Sequence, residues 1–240
     1  MKSSILQDII VAKQQGEKLL AILLDPDKLK LKTIEKIISK INNAKANYIF
    51  VGGSMVAPDL TDLFVSKIKE LSQLPVVLFP GDYTQLTQKA DAVLFLSLLS
   101  GRNPEYLIEQ QIQAVPFLRQ SLLECIATGY ILIDGGTFTS TQKVSNTLPI
   151  SQKEVKHITH TALAGEYQGK KLIYLEAGSG AKNPVSEEII QEVSNSCSIP
   201  IIVGGGIRFR NSIQNAYDNG ADLVVIGTAF EEDYNMFENE

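Results

Sequence analysis

Short, strongly apolar runs recur along the chain, and stretches with helical spacing of apolar positions separate most of them. The runs are 20–24 (LAILL), 48–51 (YIFV), 76–79 (VVLF), 92–96 (AVLFL), 130–133 (YILI), 172–175 (LIYL), 199–203 (IPIIV) and 223–226 (LVVI). They are near-continuous in Val, Ile and Leu rather than strictly alternating, which suits parallel strands covered on both faces. Between them, residues 31–43 carry Ile34, Ile37, Ile38 and Ile41 on one helical face, and residues 60–71 repeat the pattern with Leu60, Leu63, Phe64, Ile68 and Leu71. Residues 104–118 follow Asn103 as a candidate N-cap, with Pro104 at the first helical position. Segments 151–167, 186–194 and 210–219 complete the helices, the last stopped by Asn219-Gly220.

Strands alternating with helices leave two α/β architectures, a doubly wound sheet or a (β/α)8 TIM barrel. Eight units in 240 residues fit the barrel. One interval is short: Val76 to Ala92 is 16 positions, against 28 from Tyr48 to Val76. The expected fold is therefore a modified barrel with helix 3, the crossover after strand 3, truncated or replaced by a loop. No low-complexity linker interrupts the pattern, so one domain over residues 1–240 is expected. The Ser/Thr/Asn-rich stretch 137–149 reads as a flexible loop on the catalytic face.

Charge and composition narrow the function. With 22 Lys and Arg against 27 Asp and Glu, the formal net charge is −5, which argues against nucleic-acid binding. The longest clear apolar run, 92–100, is about half a membrane span. The N-terminus lacks the long apolar core of a signal peptide. A cytoplasmic protein follows, with Cys125 and Cys197 expected as reduced core thiols. His157 and His160 lie three apart on a predicted outer helix with no third ligand in sight.

In a barrel, residues just after the strands share one face and carry the chemistry. Strand 1 ends in Asp25-Pro26-Asp27-Lys28, where a carboxylate either caps a turn or holds a hard cation such as Mg²⁺. Strand 2 ends in Gly52-Gly53-Ser54, a tight turn whose hydroxyl could face a phosphate or its metal. Strand 3 leads to Phe79-Pro80-Gly81, and strand 5 to Asp134-Gly135-Gly136, either a turn or a ligand loop. Strand 6 runs through Tyr174, Leu175, Glu176, Ala177, Gly178, Ser179 and Gly180. Period two puts Tyr174 and Glu176 on one face, a phenol beside a candidate general base. Gly204-Gly205-Gly206 with Arg208 after strand 7, and Gly227-Thr228 after strand 8, form the fold's usual phosphate cradle. Residues 231–240 read as a frayed terminal helix.

Assembled in order, these motifs resemble the geranylgeranylglyceryl phosphate synthase family of prenyltransferases over nearly the whole chain. The anchors are LLDPDK (23–28), VGGS (51–54), FPG (79–81), SLLSGRNP (97–104), GYILIDGGTFTS (129–140), YLEAGSGA (174–181), VGGGIR (203–208) and GTAFE (227–231). The resemblance implies a barrel lacking a regular third helix. It also implies alkylation of the C3 hydroxyl of sn-glycerol 1-phosphate by a prenyl diphosphate, by default geranylgeranyl diphosphate, with Mg²⁺ assisting. Asp25 and Ser54 would then bind Mg²⁺. Glycerol phosphate would sit on Tyr174 through Gly180, on Gly205 and Gly206, and on Gly227 and Thr228, with Glu176 catalytic. The resemblance further implies a homo-oligomer and allows transient membrane contact. Many members carry Gly-Asn where this chain has Gly227-Thr228, and Asn in place of Gly101. The competing readings are a phosphosugar isomerase or lyase on the same barrel, and a non-enzymatic phosphate-ligand binder.

Overall fold

In a computed structural model, which describes residues 4–57 and 59–232, the apolar runs form eight parallel strands closed into a barrel in chain order. They are β1 (Leu19–Leu24), β2 (Tyr48–Val51), β3 (Val76–Leu78), β4 (Ala92–Leu98), β5 (Glu124–Leu132), β6 (Leu172–Glu176), β7 (Ile201–Gly204) and β8 (Leu223–Ile226). Closure is direct: β1 pairs with β2 through Ala21↔Tyr48 and with β8 through Leu19↔Leu223. That excludes the doubly wound alternative.

The two-residue period sorts each strand into two cores. Ala21, Phe50, Val77, Leu94, Ile126, Tyr174, Ile202 and Val225 fill the barrel interior. Ile22, Ile49, Val76, Ile131, Ile173, Val203 and Val224 face outward and meet the helices. Both sets are buried, which is why the strand sequences hardly alternate.

Helix α1 (Ile5–Gln15) was not among the sequence expectations. Ser4 caps it by accepting from the Gln7 N–H, and Gly16 ends it in the left-handed conformation at φ 72°. Its Ile5, Ile9 and Ala12 join the interior core and plug the N-terminal end of the barrel. Glu124, the first residue of β5, holds it there by accepting from the amides of Ile5 (2.6 Å) and Leu6 (3.0 Å). β5 therefore starts six positions before the apolar run at residue 130, because polar Glu124 and Thr128 belong to the ladder.

The remaining helices are α2 (Ile34–Asn43), α3 (Leu60–Leu71), α4 (Gln110–Leu118), α5 (Ser140–Ser145), α6 (Val155–Tyr167), α7 (Glu187–Ser196), α8 (Arg210–Asp218) and α9 (Thr228–Glu232); α2, α3, α4, α6, α7 and α8 follow the expected order. After β3 there is no α-helix, only a 3₁₀ turn at Tyr83–Gln85, as the short interval predicts. One π-helical turn, Glu105–Glu109, leads into α4. The backbone N–H of Tyr83 donates to Gln110 Oε1 at 2.9 Å, so α4 leans across the place of the missing helix. Phe95 and Leu96 of β4 are left only half covered there.

Three expectations need revision. The stretch 137–149 is not simply a loop: it contains α5, started by a reciprocal capping box between Thr139 and Gln142. The thiols are not both in the core: Cys197 is buried, but Cys125 is exposed near the partly covered start of β5. Of the terminal helix expected over 231–240, residues 233–240 lie outside the described residues, and the helix that is seen, α9, spans Thr228–Glu232. Among the described residues no helix is long and apolar enough to cross a membrane.

Candidate active site

At the C-terminal end of the strands lies one continuous cavity of about 380 Å³. Its walls divide by chemistry. Polar residues from the ends of β1, β2, β6, β7 and β8 line one half: Asp25, Ser54, Tyr174, Glu176, Ser179, Gly180, Gly205, Gly206, Gly227 and Thr228. Phe79, Leu86, Val93, Leu94, Leu96, Leu98, Tyr106, Ala114 and Leu118 dominate the other, to which α4 also brings Gln110 and Gln111. This apolar half is the flank between β3, β4 and α4, which a regular helix after β3 would have covered.

Glu176 ends β6 with its side chain turned into the barrel, as period two requires. It is 6% exposed. Burial raises its pKa from 4.5 to about 7, against opposing help from the Gly178 N–H and the Tyr174 hydroxyl. Its Oε1 accepts from the Gly178 N–H at 2.7 Å. Tyr174 lies one step deeper in a cluster of rings, 5.1 Å between centroids from Phe79 and 5.5 Å from Tyr130. Burial, with the neighbouring Glu176 charge, pushes the Tyr174 pKa well above 10, so its hydroxyl keeps its proton. That hydroxyl acts on the Glu176 charge but lies outside good hydrogen-bond geometry, and it has no partner. A buried donor with no well-formed hydrogen bond, lining a cavity beside a carboxylate, can donate to an oxygen of a ligand.

The anion side is built from backbone. The amides of Ser179, Gly180, Gly205 and Gly206 make no hydrogen bond within the described chain. Gly205 has φ +80°, and a Cβ there would run into Glu176 Oε1. Only glycine lets this turn pass so close to the carboxylate. At the rim, the hydroxyls of Ser179 and Thr228 meet at 3.1 Å.

Across the mouth, Asp25 Oδ1 accepts from the Asp27 N–H at 3.1 Å, and Oδ2 faces Lys28 Nζ at 3.4 Å. The β2 turn presses against it: a Cβ on Gly53 would fall 2.5 Å from Oδ1. Burial raises the Asp25 pKa despite Lys28. Among the described residues no cluster of three metal-ligating His, Cys, Asp or Glu side chains exists. The donors nevertheless fit Mg²⁺, which usually binds through one or two carboxylates and completes its shell with substrate phosphates and water. A partly desolvated carboxylate with one loosely held cation, beside the Ser54 turn, would supply the protein's share of such a site.

Not every residue of the expected site reaches the cavity. Leu175 and Ala177 are fully buried in the outer core between barrel and helices. The Ala177 N–H is committed to the Gly204 carbonyl at 3.1 Å, and the Gly178 N–H to Glu176. Asp134 caps its own turn through the Gly136 N–H (2.9 Å), so the loop after β5 reads as structural. Arg208 lines the rim and is exposed; His157 and His160 are exposed on α6. Phe79, Tyr130 and Lys28 also line the cavity, and the motifs FPG, GYIL and DPDK contain them without marking them as site residues.

Fold and site together define a phosphate-handling (β/α)8-barrel enzyme with an apolar groove. The PcrB family model matches residues 12–240, and the chain belongs to that family. A geranylgeranylglyceryl phosphate synthase of Flavobacterium johnsoniae is 53% identical over 99% of this chain and 98% of its own length. One of Pyrococcus abyssi is 38% identical over 91% and 86%. The crystal structure of (S)-3-O-geranylgeranylglyceryl phosphate synthase from Thermoplasma acidophilum in complex with sn-glycerol-1-phosphate superposes with TM-score 0.92 at 32% identity, covering 98% of this chain and 95% of that one. An N-acetylmannosamine-6-phosphate 2-epimerase from Clostridium perfringens, at 14% identity and TM-score 0.59, shares the barrel alone.

Proposed function

We infer that the protein transfers a geranylgeranyl group from geranylgeranyl diphosphate to the C3 hydroxyl of sn-glycerol 1-phosphate, releasing diphosphate. The named relatives support this reading. The observation that carries it is the single cavity in which Tyr174 and Glu176 stand between a glycine-walled polar half and an apolar groove. An isomerase or lyase of small phosphosugars has no use for that groove.

In this reading the free amides around Ser179–Gly180 and Gly205–Gly206 hold the glycerol phosphate. The Tyr174 hydroxyl and Glu176 orient its C3 hydroxyl. The prenyl chain lies along Leu94, Leu96, Leu98, Ala114 and Leu118, which puts the allylic carbon near the hydroxyl. The new C–O bond forms at that carbon as its bond to diphosphate breaks, and Glu176 takes the hydroxyl proton. A carboxylate with a pKa of about 7 suits a base at neutral pH. Mg²⁺ on Asp25 and Ser54 would supply neutralising charge for the departing diphosphate.

We further read the chain as a single-domain cytoplasmic enzyme, with Ile108, Ile112 and Val115, exposed on the α4 segment, as a homo-oligomer contact. The functional test is incubation with sn-glycerol 1-phosphate and prenyl diphosphates of several lengths, with diphosphate release and product mass as readouts. Geranylgeranylglyceryl phosphate is the expected product. Its absence, with diphosphate not released, would overturn the assignment.

A further inference from the structure

The cavity must accept two anions, yet among the described residues lining it only Lys28 and Arg208 are cationic. Lys28 alone reaches both polar edges. Its Nζ lies 3.4 Å from Asp25 Oδ2, donates to Ser179 Oγ at 3.2 Å, and lies 3.8 Å from Glu231 Oε2. Ser179 in turn meets the Thr228 hydroxyl. The backbone fixes where the side chain starts. The Lys28 and Leu29 amides both donate to the Asp25 carbonyl, and Leu29 is buried. The tip is free to choose, since the Lys28 side chain is 48% exposed and all its contacts are at 3.2 Å or longer. These are the marks of an ammonium shared among partners, none of which holds it alone.

We propose that Lys28 is a substrate-binding residue with two stations. It binds the phosphate of glycerol 1-phosphate at the Ser179–Thr228 edge, and it pairs with Asp25 while that carboxylate holds no cation. Occupation of Asp25 by a divalent cation removes the nearer of the two competing carboxylates, the other being Glu231, and frees Lys28 for the phosphate. The two halves of the site are thereby coupled through one side chain, and reciprocally so. The proposal rests on the glycerol phosphate reading above.

The test is calorimetric titration of sn-glycerol 1-phosphate into the full chain in metal-free buffer, so that turnover plays no part. K28M should bind about tenfold more weakly or worse, the loss of one charge-assisted contact, while K28R should retain most of the affinity. D25N should bind roughly two- to fivefold more tightly than the wild type, the scale of an exposed ion pair released. In the double variant D25N/K28M that gain should vanish. Unchanged affinity in K28M, or a D25N gain that persists without Lys28, would overturn the proposal. No detectable binding by the wild type would instead remove the functional reading beneath it. Circular dichroism of each variant confirms that it is folded.

Discussion

Replacing Glu176 by Gln separates two consequences of one buried carboxyl. The group titrates at 4.5 when unfolded and near 7 when folded, chiefly through burial. Between these values the folded chain holds a proton that the unfolded chain has released. The stabilisation is therefore fully present below pH 4.5 and is lost as pH rises through 7. A move of that size corresponds to roughly 3 kcal/mol. Gln does not ionise, and its side-chain oxygen can still accept from the Gly178 N–H. E176Q should thus melt with the wild type at pH 4 and above it at pH 8, by about 6–12 °C for a chain of this length. Catalysis should move the other way. Turnover should fall roughly 10²–10⁴-fold, and the acid limb of kcat/KM, expected near pH 7 in the wild type, should disappear. The assays are scanning calorimetry at the two pH values and a pH–rate profile of diphosphate release. A melting gap independent of pH would refute the titration argument. Near-normal turnover would remove Glu176 as the base.

Other sites give sharper single answers. D25N should lose its response to Mg²⁺ in the diphosphate-release assay, because the neutral amide leaves Ser54 without a charged co-ligand; an unchanged Mg²⁺ titration would take Asp25 out of the metal site. Gly205→Ala combines positive φ with a collision at Glu176, whereas Gly169→Ala has positive φ and open space. The second should cost about 1 kcal/mol in urea unfolding and the first clearly more, with activity lost. Ala114→Phe should shorten the groove, shifting preference toward shorter prenyl diphosphates while leaving the Kd for glycerol phosphate unchanged.

What could be read from the sequence follows from which interactions are local. Strand positions were visible because a strand between barrel interior and helices is apolar on both faces, so YIFV and LVVI stand out. The missing helix was visible as a count of residues between β3 and β4. The first half of β5 was hidden because Glu124 and Thr128 break its apolar run, Glu124 being spent on capping α1. Helix α1 had a signal in the spacing of Ile5, Ile9 and Ala12, but its burial depends on the open end of a barrel, which no local pattern declares. The site divides in the same way. Period two along β6 separates Tyr174 and Glu176, which face the cavity, from Leu175 and Ala177, which face the helices. A contiguous motif blurs that distinction, although the period contains it. Lys28, Phe79 and Tyr130 matter because the chain at three strand ends converges on β6 and its turn, the two rings on Tyr174 and the ammonium on Ser179. Convergence is a property of the closed barrel rather than of any segment. The ammonium that reaches both polar edges of the cavity is one letter of the DPDK motif, and its place beside Ser179, 151 positions further along the chain, exists only in the closed barrel.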